Sequence, residues 1–412
     1  MHRFTLLILI LFTLLTALLL VFGTGRRSDD TLVIWTQDNT PGRVLLDSLL
    51  QAYQRNHPDT KIIMTYYETE ELRSNFIISA LGGSGPDLVY GPADAVGPFH
   101  VMQIIQPLEP FFDEAYLQQF DEKARVWYKG HLYLLGDRIG NHLTLVYNKK
   151  LLPEPPQTTD ELIEVGRQLT RDVDGDGLMD YYALVWNFVE PFFFVPFLGG
   201  YGGWVMDDSA RPTLNTPATV NACKLILKMR DLNIIPRECD LNLADQLFKQ
   251  QRAAMIINGP WSWSSYIEAG VDIGLARIPK VSETGLWPTP MVSAKGYSIN
   301  VNTKGKRLER TLDLLRYLLS EEVQLITTRK LKTIPSHLNV RRHPEVQGDP
   351  ILRKSMEQIE VGRLMPVAPE MRAIWDAMRP AYQMVLNGTL SPEAAAEKMQ
   401  KDAEKLIRDM LQ

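Results

Sequence analysis

Cysteine is scarce in this sequence, with Cys223 and Cys239 as the only two. Their separation matches no metal-binding motif, so the cysteines give no reason to expect a metal-stabilised domain. Two states remain open for them. They form a disulfide if the protein folds in an oxidising compartment, or they are buried as free thiols.

Excess positive charge and catalytic motifs are also missing. The chain has 44 Lys and Arg against 49 Asp and Glu, a net charge of −5, and no basic stripe, which excludes nucleic acid as a partner. There is no nucleophile elbow, zinc motif or Ser–His–Asp pattern to support a hydrolase. The composition is otherwise that of a globular protein, 45% hydrophobic and 23% charged. The function therefore has to depend on binding.

One long apolar run is present, over residues 4–22. It follows Arg3 and precedes small residues near 23–25, which describes a secretory signal. Its length is also close to the ~17–25 residues that cross a bilayer. No cysteine follows it, so it is not a lipoprotein signal of the usual kind. Residues 1–30 are thus a signal peptide or an N-terminal membrane anchor, and either one places the rest in the periplasm or at the cell exterior.

Strand and helix patterns alternate after this segment. A buried strand at 32–35 is followed by a helical spacing at 42–56, a strand at Lys61–Tyr66, a helix at 70–81 and a third strand at Asp87–Tyr90. This order is the βαβ pattern of a parallel sheet with helices on its faces.

The alternation continues to about residue 320. The predicted strands are 133–135, 143–147, 182–188, 254–257 and 297–302, and the predicted helices are 159–169, 217–232, 242–250 and 308–319. From about 349 the pattern predicts helices only. About 385 residues lie outside the leader, enough for two domains of ~100–200 residues. The prediction is an α/β fold of two lobes joined by more than one strand crossing, which favours hinge closure around a ligand.

Six segments occur in an order that resembles a known family. They are LVIW at 32–35, GPDLVY at 85–90, TLVYNKKLLPEPPQT at 144–158, EPFF at 190–193, INGPWSW at 257–263 and MPVAPEMRAIWDAMR at 365–379. The chain resembles the maltose/maltodextrin-binding type of periplasmic solute-binding protein, the receptor subunits of ABC sugar importers. The resemblance spans the exported region and implies two α/β lobes with a sugar cleft and a hinge between them. We assign 31–140 and 297–345 to the N-terminal lobe, and 141–296 and 346–412 to the C-terminal lobe.

Aromatic side chains are the first candidates for a sugar site, because sugar rings present apolar faces that stack on aromatic planes. Trp261 follows a strand at its carboxyl end, where ligands sit in open α/β sheets. The resemblance implies that Trp261 and Trp375 stack on sugar, and that Phe192 replaces a stacking aromatic. A core position is the alternative for each tryptophan, and Trp263 could take it in place of Trp261. We expect the two stacking tryptophans to face each other across the cleft.

Carboxylates and amides are the second candidates, because they bond sugar hydroxyls. The resemblance implies this role for Glu190 and Asp94, with a surface loop position as the alternative for Glu190. Arg379 comes four residues after Trp375 and so shares its helix face, from which it either reaches the cleft or stays in solvent.

The N-terminal lobe departs from the maltodextrin pattern. Asn39 and Thr40 replace a charged pair, Asn141 replaces a carboxylate, and Gly91 stands where the family has a stacking tryptophan. Asn39 and Asn141 are therefore ligand candidates in a site that can bind a different sugar. Nearby polar residues with weaker claims are Gln37, Asp38, Arg138 and His142.

A separate acidic segment resembles a calcium-binding loop. Asp172, Asp174, Asp176 and Asp180 surround Gly175 at suitable spacing, but the glutamate expected at the twelfth position is absent. A solvated turn is the alternative. Structural calcium is the one cofactor that the sequence suggests, and binding requires none.

These features favour a monomeric receptor that captures a sugar or oligosaccharide and delivers it to the membrane subunits of an importer. Two alternatives remain. One is an exported carbohydrate-active enzyme with Glu190 and Asp94 as its carboxylate pair. The other is a membrane-tethered sugar sensor.

Overall fold

The structure is a computed structural model that describes residues 28–410. The predicted signal peptide or anchor over 1–30 lies almost wholly outside the described residues. Within 28–410, no helix combines the length and the apolar character needed to cross a membrane.

Thirteen strands form two sheets in the described part of the chain. They are β1 Thr31–Thr36, β2 Lys61–Tyr66, β3 Leu88–Pro92, β4 Ile105–Gln106, β5 Arg125–Tyr128, β6 His131–Gly140, β7 Thr144–Asn148, β8 Tyr182–Val185, β9 Ala253–Asn258, β10 Ile273–Ala276, β11 Met291–Asn300, β12 Ile334–Pro335 and β13 Arg363–Leu364.

The α-helices cover the faces of both sheets. They are α1 Thr40–Asn56, α2 Thr69–Leu81, α3 Val96–Val101, α4 Glu114–Leu117, α5 Thr159–Leu169, α6 Val195–Gly200, α7 Pro217–Asp231, α8 Leu241–Lys249, α9 Trp263–Glu268, α10 Gly305–Leu318, α11 Glu321–Leu331, α12 Leu338–Arg342, α13 Pro344–Gly348, α14 Pro350–Glu360, α15 Glu370–Leu386 and α16 Pro392–Met410.

The first sheet has the order β12-β6-β11-β3-β1-β2, with β4 and β13 paired to β11 and β5 paired to β6. β1 is parallel to both β2 and β3, as the βαβ pattern predicts. β11 is antiparallel to β3 and β6, so the sheet is mixed. Helices α1 and α10 cover one face, where Leu46, Leu50 and Leu315 are buried against strand residues such as Leu32 and Ile34.

The second sheet has the order β10-β7-β9-β8. It lies under a large apolar core to which α15 contributes Met371, Ile374, Met378 and Tyr382. Helix α16 packs against the same core through buried Ala395, Met399 and Ala403. The tail beyond residue 370 is therefore part of this second unit, and the predicted two-lobed α/β fold is confirmed.

Four predictions about the elements differ from the structure. β6 runs without a break to Gly140, where a loop was predicted after 135. It can do so because β6 and β11 approach very closely: a Cβ added to Gly296 would lie 2.3 Å from the Leu135 carbonyl oxygen. β11 begins at Met291 rather than 297, and the strand predicted over 182–188 ends at Val185. The tail after 349 also contains β13, which is parallel to β11.

The chain passes between the two sheets at three places that are bonded to one another. The first passage runs from β6 to β7, and the second runs from β10 to β11. The third is the segment that contains α14, which lies beside the other two. The His142 ring nitrogen Nε2 is 3.3 Å from the Ser355 hydroxyl of α14. The Gln358 side chain accepts a 3.0 Å bond from the Ile278 amide. These contacts unite the crossings into one hinge region.

Candidate functional site

Three aromatic rings form a group on the second lobe. The Phe192 ring centroid is 6.3 Å from that of Trp261 and 6.4 Å from that of Trp375. All three rings contact the core of the second sheet. The expectation that the tryptophans face each other across the cleft is therefore wrong, because both belong to one lobe and Phe192 lies between them.

The two tryptophans differ in burial. Trp375 is 7% exposed and belongs to the core, whereas Trp261 is only partly buried. The Trp261 ring folds back over Gly259, where an added Cβ would lie 2.1 Å from the ring. Trp263 is fully buried and takes the core position. Trp261 is thus the tryptophan with an accessible face.

Asp94 lies on the first lobe in the 3₁₀ turn Ala93–Ala95 that follows β3. One carboxylate oxygen forms a 2.6 Å ion pair with Arg73 of α2. The other oxygen, Oδ1, is buried and accepts no hydrogen bond from the described residues. Asp94 therefore has one acceptor oxygen that is buried and unused in this conformation.

Glu190 lies just before the 3₁₀ turn Pro191–Phe193 and forms a 3.0 Å ion pair with Arg379 of α15. Burial alone would lower the pKa of Arg379, but the Glu190 hydrogen bond and the charges of Glu190 and Asp376 raise it. Arg379 thus contacts Glu190 instead of being free in solvent. The Glu190 side chain stays 42% exposed, so it is reachable by a ligand.

Asn39 and Asn141 lie where the lobes meet. The Asn39 side chain caps α1 by accepting a 3.1 Å bond from the Gly42 amide, and its amide donates to the Trp261 carbonyl of the other lobe. Asn141 has a positive φ of 28° and lines a cavity of about 20 Å³ together with Trp261. Both asparagines are at the interlobe surface.

A charged cluster forms another part of that cavity wall. Asp38 accepts a 2.6 Å bond from Lys295 and a 3.2 Å bond from Arg138, and Arg138 also pairs with Asp137 at 3.1 Å. Burial would raise the pKa of Asp38, but the two cations outweigh it and lower the pKa. Lys295 was not identified from the sequence as part of the site. A lysine among the apolar residues of β11 is a pattern that could have indicated it.

The other polar candidates have different positions. His142 is fully buried in the hinge, where desolvation lowers its pKa to about 3. Gln37 lies near Gly91 on the first lobe. Cys223 and Cys239 are buried free thiols, and burial raises the pKa of each to about 12.

The acidic loop is on the surface. Carboxylate oxygens of Asp172, Asp174 and Asp176 all lie within 4.8 Å of one another. Asp180 is not in this group: its carboxylate accepts a 2.9 Å bond from the Val173 amide and lies 3.4 Å from Arg252. Three of the four predicted ligands therefore converge.

Comparison with known proteins identifies the family. The model of the family described as bacterial extracellular solute-binding protein matches residues 48–354. This chain belongs to that family. The predicted resemblance and the predicted location outside the cytoplasm are both confirmed by this match.

Solved and curated relatives agree with the fold and the family. The maltose/maltodextrin-binding domain MalE of Bdellovibrio bacteriovorus, solved with maltotriose, is 47% identical, with a TM-score of 0.90 over 92% of this chain and 100% of that one. The maltotriose-binding protein of Pyrococcus abyssi is 27% identical over 94% of this chain and 83% of its own length. The galactooligosaccharide-binding protein of Bacillus subtilis is 25% identical over 92% and 89%. All three are named binding proteins.

Proposed function

We propose that this solute-binding protein captures a maltodextrin-like sugar or oligosaccharide between its lobes and delivers it to the membrane subunits of an ABC importer. The observation that carries the proposal is the partly exposed Trp261 ring beside Phe192, with Glu190 two residues before Phe192 in the chain. A ring that stacks on Trp261 places its hydroxyls within the reach of carboxylates and amides. The 47% identical relative solved with maltotriose supports this ligand class.

The proposed lobes close around the ligand by bending at the three crossings. We place the boundary of the N-terminal lobe at Met291 rather than 297, because β11 pairs with β6 from Ser293 onward. The remaining boundaries, at 140/141 and 345/346, stand as proposed. Asp94 and Asn39 then act from the first lobe, and Trp261 and Glu190 act from the second.

Calorimetric titration tests the proposal. Maltose, maltotriose and maltotetraose are compared with a galactooligosaccharide and a monosaccharide, and the products are analysed by chromatography. We expect saturable binding of at least one maltooligosaccharide with no change in its length. Chain shortening would favour the carbohydrate-active enzyme, and binding of the galactooligosaccharide alone would reassign the ligand.

An importer subunit and a membrane-tethered sensor differ in what they do to their partner proteins. An importer subunit has to stimulate ATP hydrolysis by its membrane complex when the sugar is present. A sensor does not. Reconstituting the protein with candidate importer subunits distinguishes the two, and light scattering of the free protein tests the proposed monomer.

We also propose that Asp172, Asp174 and Asp176 hold one structural calcium ion, with Asp180 outside the ligand set. A bound ion stabilises the folded state by mass action. The melting temperature should be higher in excess calcium than in chelator, and Asp174→Asn should remove the difference. Equal melting temperatures for the unmodified protein would rule out the ion.

A further inference from the structure

A continuous series of ion pairs joins the two lobes at the candidate site. Its members alternate in charge and are, in order, Asp94, Arg73, Glu70, Arg372, Asp376, Arg379 and Glu190. We call this series the ion-pair chain. Its two ends are the carboxylates proposed to bind sugar hydroxyls.

The first part of the ion-pair chain belongs to the first lobe. Arg73 of α2 lies 2.6 Å from Asp94 and 3.0 Å from Glu70. Glu70 is in the first turn of α2, where the helix dipole favours a negative charge. Arg73 therefore holds Glu70 and Asp94 together on one lobe.

The second part belongs to the second lobe. On α15, Asp376 lies 3.2 Å from Arg372 and 3.3 Å from Arg379, and Arg379 lies 3.0 Å from Glu190. The arginines are spaced at i−4 and i+3 around Asp376, so all three side chains share one face of α15. This face is turned toward α2 of the other lobe, since Arg372 reaches Glu70.

Only the Glu70–Arg372 pair crosses between the lobes within the ion-pair chain, and its partners are 302 residues apart in the sequence. The charge of Glu70 also raises the pKa of Arg379, and that of Glu190 raises the pKa of Arg73, although burial opposes both shifts. The two halves therefore interact electrostatically beyond the single direct contact.

We propose that the Glu70–Arg372 pair is a latch that sets sugar affinity from outside the binding site. The pair joins the two lobes in this structure, and separation of the lobes would break it, so in this proposal it stabilises the closed form without touching the sugar. Apparent affinity falls with the fraction of molecules in the binding-competent state, and a latch that raises this fraction tightens binding. This inference rests on the proposed function.

The expected change in sugar affinity follows from how exposed the two side chains of the pair are. The Glu70 and Arg372 side chains are 49% and 39% exposed, so solvent screens the pair and its contribution is that of a surface ion pair. Loss of such a pair corresponds to a change of about two- to fivefold in affinity. The change should appear mainly in the dissociation rate, since the pair forms after the lobes have closed.

The test is a double-mutant cycle with neutral replacements. Glu70→Gln, Arg372→Gln and the double variant are titrated with maltotriose, and dissociation is followed by stopped-flow tryptophan fluorescence. Each single variant should release maltotriose about two- to fivefold faster, and the double variant should resemble either single one. High salt should abolish the difference from the unmodified protein.

Glu71→Gln is the matched control. Glu71 is in the same first turn of α2, so its replacement removes the same charge from the helix start without removing the interlobe contact. It should bind maltotriose like the unmodified protein. Equal dissociation rates for all variants would overturn the latch, as would additive effects of the two replacements.

Failure of the latch and failure of the sugar proposal give different results. If the unmodified protein binds no maltooligosaccharide, the proposed function fails, and the latch is then measured without ligand. Paired spin labels, one on each lobe, report the interlobe distance. Glu70→Gln should shift the distribution to longer distances, and an unchanged distribution would refute the latch.

Discussion

The two lobes contribute different chemistry to the cleft between them. The second lobe supplies the aromatic group of Trp261, Phe192 and Trp375, which is continuous with its core. The first lobe supplies buried carboxylates held by cations: Asp94 by Arg73, and Asp38 by Arg138 and Lys295. The carboxylate of the second lobe, Glu190, is exposed. In the proposed function, Trp261 offers an apolar face to a sugar ring from one lobe, and Asp94 offers an acceptor to its hydroxyls from the other.

Within the second lobe, one residue type has different roles at different depths. A tryptophan that is part of the core supports the lobe, while one at the edge of the core is free to stack. A carboxylate held by arginine keeps its orientation before the ligand arrives. Substitutions can separate these roles.

The largest effect is expected for Trp375→Ala. Trp375 is 7% exposed, so the substitution leaves a cavity in the second lobe. Truncating a buried tryptophan costs about 3–5 kcal/mol of folding free energy. Urea unfolding measures this loss, and Trp375→Phe should recover most of it. Wild-type stability combined with lost sugar binding would instead make Trp375 a direct ligand.

The next effect concerns the charged cluster of the first lobe. Lys295→Met removes one of the two cations bonded to buried Asp38 and should cost about 1.5–3 kcal/mol, the range for hydrogen bonds to charged groups. The pKa of Asp38 is lowered in the folded state, so its contribution to stability is lost as the pH falls through that value. Losing Lys295 raises this pKa, and acid unfolding should begin at a higher pH.

A third effect tests the hinge that joins the lobes. His142 has a folded pKa of about 3, below its unfolded value, because burial disfavours the charged ring. The unfolded chain therefore binds the proton first, and stability present above the unfolded pKa is lost as the pH falls. The loss should reach about 2 kcal/mol at pH 5. His142→Gln should make the stability profile between pH 7 and pH 5 shallower; parallel profiles would contradict the assignment.

The smallest of these four effects is expected for Trp261→Ala. Trp261 is partly exposed, so the lobe should stay folded while a sugar ring loses its stacking surface. We expect a loss of about 1.5 kcal/mol in binding, roughly tenfold in affinity. Calorimetry measures it, with circular dichroism to confirm the fold. Unfolding of the second lobe by this substitution would remove Trp261 from the site.

Local sequence patterns predicted the elements well but not the contacts between distant segments. β2 has its predicted bounds, and α5 has the predicted range 159–169. β6 was interrupted too early, because its continuation depends on the close approach of Gly296 from β11. The family resemblance indicated Trp261 and Glu190 as site candidates. It gave no sign of Arg372 contacting Glu70, since only the folded chain brings those residues together.

The order of strands in the first sheet has a consequence for biosynthesis. β6 lies between β11 and β12 in that sheet, and β11 also separates it from β3. A ribosome that has made the first 140 residues has therefore produced strands whose central neighbour is still missing, and pairings so distant in sequence form slowly. The first sheet therefore lacks its central strand until β11, at residues 291–300 of 412, has been made. For a family that works outside the cell, we expect this late completion of the first sheet to favour an unfolded polypeptide during export.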